Sequence, residues 1–298
     1  MRNTPLFQGV CTALATPFRD GKIDWRTLEK MINYQINEGI SALLLAGTTG
    51  EASTLSRAER RELSKAAGEI IGKRAVYILG CGSNSTSLAL EYSADAVECG
   101  ADAILLVTPY YNKATEKGLI LHYQTIAEAI PLPQILYHVP SRTGVHFTLK
   151  QIETLSQIPN IVGIKEADSN LDWLQDEMAV AHPTFSFYAG NDSLTIPTLS
   201  LGGIGVFSVI SNIYPREMRQ IVALYQEGKT KESLTLERCL LAFMRLLLKE
   251  TNPAPLKHAL AYKGFGGGEL RLPLSSVTSC LREEIEKEMD LLKDKKIL

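Results

Sequence analysis

Asn160-Ile161-Val162-Gly163-Ile164-Lys165-Glu166-Ala167 reads as a short buried strand with a lysine at its C-terminal end. Its apolar part is too short for an independent helix and is rich in β-branched residues. Similar runs recur along the chain at intervals of roughly thirty residues. They are Gly9-Val10-Cys11-Thr12-Ala13-Leu14, Ala42-Leu43-Leu44-Leu45, Ala75-Val76-Tyr77-Ile78-Leu79 and Ala103-Ile104-Leu105-Leu106-Val107. Gln134-Ile135-Leu136-Tyr137, Phe185-Ser186-Phe187-Tyr188 and Gly205-Val206-Phe207-Ser208 complete the set. Several are apolar on consecutive residues, the pattern of parallel strands buried on both faces.

Helical segments separate the runs. Asp24 caps one carrying Leu28, Met31, Ile32 and Ile36, and Ser56-Arg57-Ala58-Glu59 has the form of a capping box. Gly100 closes the helix before the fourth strand, and Asn170 opens the one holding Leu171, Leu174 and Met178. Eight strand–helix units within about 230 residues predict a (β/α)8 barrel, with its active site at the C-terminal ends of the strands. A doubly wound sheet is the weaker alternative, since no GxGxxG follows the first strand. After Gly228 the strands stop. Helices are expected near 231–250, 254–263 and 276–295, parted by Pro253, Pro255, the loop Gly264-Phe265-Gly266-Gly267-Gly268 and Pro273. The division expected is therefore a barrel over 1–230 and a small helical appendage over 231–298.

The bulk properties exclude several classes of function. A net charge of −2, from 31 basic and 33 acidic residues, gives no global field for nucleic acid or an anionic membrane. The five cysteines are scattered, with no CxxC pair, so neither a disulfide framework nor a zinc site is indicated. The first eighteen residues are broken by Pro5, Gln8, Thr12, Thr16 and Pro17 and hold no signal-peptide core. Cys239–Leu248 is interrupted by Arg245 and is too short to span a bilayer. A cytoplasmic location is the expectation.

Barrel topology lets residues distant in sequence meet where each follows a strand. An amine held in a half-buried pocket loses affinity for its proton, and the neutral nucleophile that results is what Schiff-base chemistry needs. Lys165 fits that description, although a lysine ending a strand usually marks where water begins. Tyr137 ends the neighbouring strand, so the two side chains can be close. Gly47-Thr48-Thr49-Gly50-Glu51 follows the second strand and lacks the Gly-Lys-Ser/Thr ending of a P-loop. Its two hydroxyls and free backbone N–H groups suit a small carboxylate, or else form a capped turn. Thr108-Pro109-Tyr110-Tyr111-Asn112 follows the fourth strand; its tyrosines suit packing, an interface or a proton relay. Arg142 lies beyond the fifth strand, where its planar fork can grip a carboxylate or form a surface salt bridge.

These motifs, in this order, resemble the pyruvate-dependent class I aldolase family that includes dihydrodipicolinate synthase and N-acetylneuraminate lyase. The resemblance rests on Gly-Thr-Thr-Gly-Glu at 47–51, Thr-Pro-Tyr-Tyr-Asn at 108–112, Tyr-x-Val-Pro-Ser-Arg-Thr-Gly at 137–144 and Gly-Ile-Lys-Glu-Ala at 163–167. Thr16-Pro17-Phe18, Gly190-Asn191-Asp192 and Asn252-Pro253-Ala254-Pro255-Leu256-Lys257 support it, so it runs from about residue 9 to 257. It implies that Lys165 forms an imine with pyruvate, that Thr49 holds the pyruvate carboxylate, and that Tyr137, Thr48 and Tyr111 relay protons. Gly190 and Val206 would line the substrate, with no cofactor and no metal. Tyr111 would reach into the adjacent subunit of a homotetramer built from tight dimers. Arg142 would bind the carboxylate of aspartate semialdehyde, placing the reaction in lysine and diaminopimelate biosynthesis. The related alternative is an aldolase for a 2-keto-sugar acid such as N-acetylneuraminate or 2-keto-3-deoxygluconate, whose neutral polyol tail offers Arg142 no carboxylate. A non-catalytic barrel serving as a scaffold would keep the fold without the chemistry.

Three positions depart from the family pattern. His138 stands where an asparagine usually follows the tyrosine, and is expected to be packed or hydrogen-bonded rather than catalytic. Phe207 is bulkier than the usual isoleucine. In members inhibited by lysine, the effector is lined by positions matching Ala52, Ser53, Arg57, Arg60, Asn84, Leu88 and Tyr110. The effector-binding glutamate falls at Leu88, which cannot pair with an ammonium, and Arg57 and Arg60 add like charge. Feedback is therefore expected to be weak or absent; initial rates unchanged by millimolar L-lysine are the result that checks it.

Overall fold

A computed structural model describes residues 4–266 and 268–294. Gly267 of the glycine loop and residues 295–298, the end of the expected helical appendage, lie outside the described residues. Eight parallel strands form a closed barrel: β1 Gly9–Ala13, β2 Ala42–Leu45, β3 Val76–Gly80, β4 Ala103–Val107, β5 Gln134–His138, β6 Ile161–Glu166, β7 Ser186–Ala189 and β8 Gly205–Ser208. Each coincides with an apolar run to within a residue at either end. The strands are buried almost throughout, as a sheet covered by helices requires. A two-stranded hairpin, Phe18–Arg19 with Lys22–Ile23, was not legible in the sequence because each arm is only two residues long.

The helices begin where the capping signals place them. Asp24 accepts from the Thr27 N–H at the start of α1, Trp25–Asn37. Ser56 and Glu59 close a reciprocal capping box on α2, Arg57–Ile71. Asn170 accepts from the Asp172 and Trp173 N–H groups at the start of Leu171–Val180. Gly100, at φ +75°, turns the chain out of Thr86–Glu98 in a conformation that a side chain would strain. Beyond Ser208 the described residues hold helices and no strand, including Pro215–Gln226, Thr230–Leu246, Ala254–Tyr262 and Ser279–Asp294. Among the described residues no helix is long and apolar enough to cross a membrane.

The chain falls into two compact units, residues 1–8 with 76–207, and residues 9–75 with 208–298. In the first, β5, β6 and β7 run in register, with Tyr137 opposite Lys165 and Lys165 opposite Tyr188. Gly163 permits the close approach of β6 and β7: a Cβ there would lie 2.5 Å from the Ser186 carbonyl oxygen. Phe7 stacks on Tyr188 at 4.4 Å between centroids, and Phe207 meets both rings edge-on. In the second unit β1 pairs with β2. There Arg219 donates to the Glu38 carbonyl, and Gln35 donates to the carbonyl of Ser211.

Candidate active site

The first unit carries Lys165, Tyr137, Phe207, Val206, Gly190, Tyr111 and Arg142, and brings the Tyr137 and Phe207 rings to the Lys165 amine. Lys165 is only 5% exposed, and its Nζ lies 4.1 Å from the centroid of the Tyr137 ring and 5.6 Å from that of Phe207. The register of β5 and β6 explains the first distance. Tyr137 and Lys165 are cross-strand partners, so their side chains leave the same face of the sheet. Among the described residues no carboxylate pairs with Lys165.

The strand ends around it are tied down. Thr108 is fully buried and donates through Oγ1 to the Tyr137 carbonyl at 3.1 Å, while its N–H donates to the same oxygen. The Gly190 N–H donates to the Glu166 carbonyl at 2.6 Å, and a Cβ at Gly190 would lie 2.7 Å from that oxygen. Val206 is fully buried opposite Ala189. Asn112 donates to the Asn84 carbonyl at 2.9 Å. Beside it Tyr111 stands 89% exposed with φ +69°. Arg142 is exposed on a single helical turn, Pro140–Thr143, just past the end of β5.

Thr48 and Thr49 belong to the second unit, on the loop after β2. Thr49 is buried, and its Oγ1 accepts from Asn252 Nδ2 at 3.1 Å. Glu51 next to it, at φ +53°, pairs with Lys257, and both side chains are buried. Lys257 Nζ also donates to the Glu269 carbonyl at 2.8 Å and lies 4.1 Å from the Phe18 ring centroid. The Arg271 N–H donates to Glu51 Oε2 at 3.1 Å, and its guanidinium binds Glu59, the Thr54 carbonyl and the Gly21 carbonyl. The Arg271 guanidinium holds the Glu59 carboxyl down at about 2. For Lys257, burial lowers the pKa against the opposing pull of Glu51. Asn252, Lys257 and Arg271 thus support the threonine loop. The sequence reading quoted Glu51, Asn252 and Lys257 as motif letters and gave them no task; the signal was a glutamate and a lysine in motifs 200 residues apart. Arg271 carried no signal at all.

His138 is fully buried, as a packed residue should be, and its Nδ1–H donates to Glu166 Oε2 at 2.7 Å. His138, Glu166 and Glu177 are the one group among the described residues with enough clustered donor atoms to surround a cation.

The chain resembles known proteins over almost its whole length. Residues 6–292 match the model of the dihydrodipicolinate synthetase family. A 4-hydroxy-tetrahydrodipicolinate synthase from Clostridium novyi is 45% identical over 269 residues, 90% of this chain and 91% of that one. The solved structure of the 4-hydroxy-tetrahydrodipicolinate synthase from Methylacidiphilum fumariolicum superposes with a TM-score of 0.95 at 41% identity, covering 97% of each chain. The dihydrodipicolinate synthase from Acinetobacter baumannii, solved in complex with pyruvate, gives 0.93 at 38% identity, covering 96% of this chain and 99% of that one.

Proposed function

The chain belongs to the dihydrodipicolinate synthetase family, and from that membership we propose that it condenses pyruvate with L-aspartate 4-semialdehyde to give 4-hydroxy-tetrahydrodipicolinate, a step of lysine and diaminopimelate biosynthesis. It is a Schiff-base-forming lyase. The observation that carries the reading is Lys165, a buried amine with no carboxylate partner among the described residues, resting on the Tyr137 ring.

In this reading Lys165 Nζ attacks the ketone carbon of pyruvate, and water leaves as the imine forms. The imine draws electrons from the methyl carbon, which loses a proton and becomes an enamine. The enamine carbon then bonds to the aldehyde carbon of the second substrate, whose oxygen takes a proton. Attack of the substrate's own amine on the imine carbon closes the ring and frees Lys165. Tyr137, Thr48 and Tyr111 are assigned the proton transfers, and Thr49 the pyruvate carboxylate. Gly190 and Val206 are assigned to the substrate wall. Incubation with pyruvate, borohydride reduction and peptide mapping test the assignment directly. A pyruvate-derived adduct on Lys165 is expected, and its absence would defeat the reading.

Arg142 is assigned the semialdehyde carboxylate, for which its exposed position past β5 is suited. A bidentate charge-assisted contact contributes about 1.5–3 kcal/mol. Arg142→Ala is therefore expected to raise the KM for aspartate semialdehyde about 10-fold to 100-fold, with the KM for pyruvate unchanged. Equal effects on both substrates would reassign the residue.

The exposed Tyr111 supports assembly into a homotetramer of tight dimers, in which this ring enters a neighbouring copy. Sedimentation velocity is expected to show the tetramer, and Tyr111→Ala to lower the activity of whatever assembly it forms. The cytoplasm is the compartment that fits this chemistry and the lack of any membrane-crossing helix among the described residues.

A further inference from the structure

Behind β6, on the side of the sheet opposite the Lys165 amine, three ionisable side chains are enclosed together. They are His138 from β5, Glu166 from β6 and Glu177 from the helix Leu171–Val180. One ligand-type atom from each can be chosen such that all lie within 4.8 Å of one another. None is more than 4% exposed, and Glu177 is fully buried. Glu166 is satisfied: its Oε2 accepts from His138 Nδ1–H at 2.7 Å and its Oε1 from the Asp168 N–H at 2.6 Å. Glu177 is the opposite case. Neither of its oxygens has a hydrogen-bond partner among the described residues, and the nearby Trp173 indole N–H is unpartnered as well. A buried carboxylate without a donor or a cation is among the costliest groups a protein interior can hold. The remedy available here is a proton, which turns Glu177 from an orphaned acceptor into a donor facing an acceptor.

We propose that Glu177 is a neutral carboxylic acid that donates its proton to Glu166, and that with His138 it is a positioning residue for Lys165. The surrounding charges agree. Burial first, and then the negative charges of Glu166 and Asp168, drive the Glu177 pKa far above the carboxylate range; the Trp173 indole N–H opposes this without cancelling it. The cluster is lined by N–H donors from His138, Asp168 and Trp173, a surrounding that suits shared protons rather than a cation.

The consequence lies one residue away from the amine. Glu166 follows Lys165, and its side chain would be held by β5, by the loop at Asp168 and by the helix carrying Glu177. Its carbonyl is held by Gly190 at the end of β7. His138 follows Tyr137 in the same way, and its carbonyl accepts from the Ala167 N–H at 2.9 Å. The cluster therefore pins the two adjacent strand ends that face Lys165 and Tyr137 toward each other, fixing the 4.1 Å between amine and ring.

Infrared difference spectroscopy of the whole chain against Glu177→Gln is the direct test. The carbonyl stretch of a buried protonated carboxyl group is expected at neutral pH in the unsubstituted chain and is expected to vanish in E177Q. Kinetics supply the second arm. Gln keeps a neutral donor of the same shape, so E177Q is expected to retain kcat. Glu177→Ala is expected to lower kcat roughly 10-fold to 100-fold at unchanged KM for pyruvate, the size of effect that a small misplacement of a reacting group produces. Absence of the band, its persistence in E177Q, a wild-type kcat in E177A, or one tightly bound divalent metal per chain that E177Q loses would each overturn the proposal. The kinetic arm rests on the Schiff-base reading of Lys165 and the infrared arm does not, so failure of one is distinguishable from failure of the other. Should E177A not fold, the infrared arm still decides.

Discussion

Lys165→Ala is expected to abolish the condensation. With the amine gone there is no imine, no electron sink and no enamine, and the remaining groups can only bind the substrates. Loss of a covalent nucleophile lowers kcat by on the order of 10^4-fold or more, with binding energy largely retained. Stopped-turnover assays with pyruvate and aspartate semialdehyde should show that fall, and borohydride trapping should give no adduct. Lys165→Arg should fare no better, because a guanidinium stays protonated and cannot attack a ketone. Retention of more than a few per cent of wild-type kcat in either variant would remove Lys165 from the centre of the mechanism. The fold is expected to survive, since among the described residues Lys165 has no ion pair to break.

Lys257→Met is expected to have the opposite signature, a large loss of stability. Lys257 and Glu51 are as buried as Lys165, but they satisfy one another, and the lysine also serves the Glu269 carbonyl and the face of Phe18. Removing the lysine leaves Glu51 as a buried carboxyl group whose other oxygen, among the described residues, accepts from the Arg271 N–H alone. Breaking one partner of such a pair costs about 3–5 kcal/mol. Denaturant unfolding of the single variant should read that loss. The double variant Glu51→Gln with Lys257→Met should recover part of it, because the stranded charge is then gone. A single variant as stable as the parent would show that the pair is hydrated. Because Glu51 lies two residues after Thr49, the single variant is also expected to raise the KM for pyruvate.

These two lysines show what a linear reading can and cannot separate. Both sit in family motifs and both are buried. Lys165 stood out because it ends a β-branched run, a local feature. Lys257 stood within Asn-Pro-Ala-Pro-Leu-Lys, whose partner Glu51 lies more than two hundred residues earlier. The barrel strands were legible for the same local reason, since a strand covered on both faces must be apolar on consecutive residues. So were the helix starts, where Asp24, Ser56 and Asn170 each satisfy N–H groups within three residues of themselves. The hairpin at Phe18–Ile23 escaped because two residues make no period.

What the amino-acid sequence alone determined, then, was the alternation of eight strands with helices, the strand end occupied by Lys165, and the motifs at 47–51, 108–112, 137–144 and 163–167. Those features depend on neighbours a few residues away, and hydrophobic period and capping chemistry write them into any short window. Only the tertiary structure decided that Lys257 meets a carboxylate while, among the described residues, Lys165 meets aromatic faces. It also decided that the histidine replacing the usual asparagine at 138 would meet Glu166, and that Glu177 would close over both. Charge and hydrogen-bond partners come from whichever distant segments the fold encloses together, and inside a dry interior that choice outweighs the identity of the side chain itself.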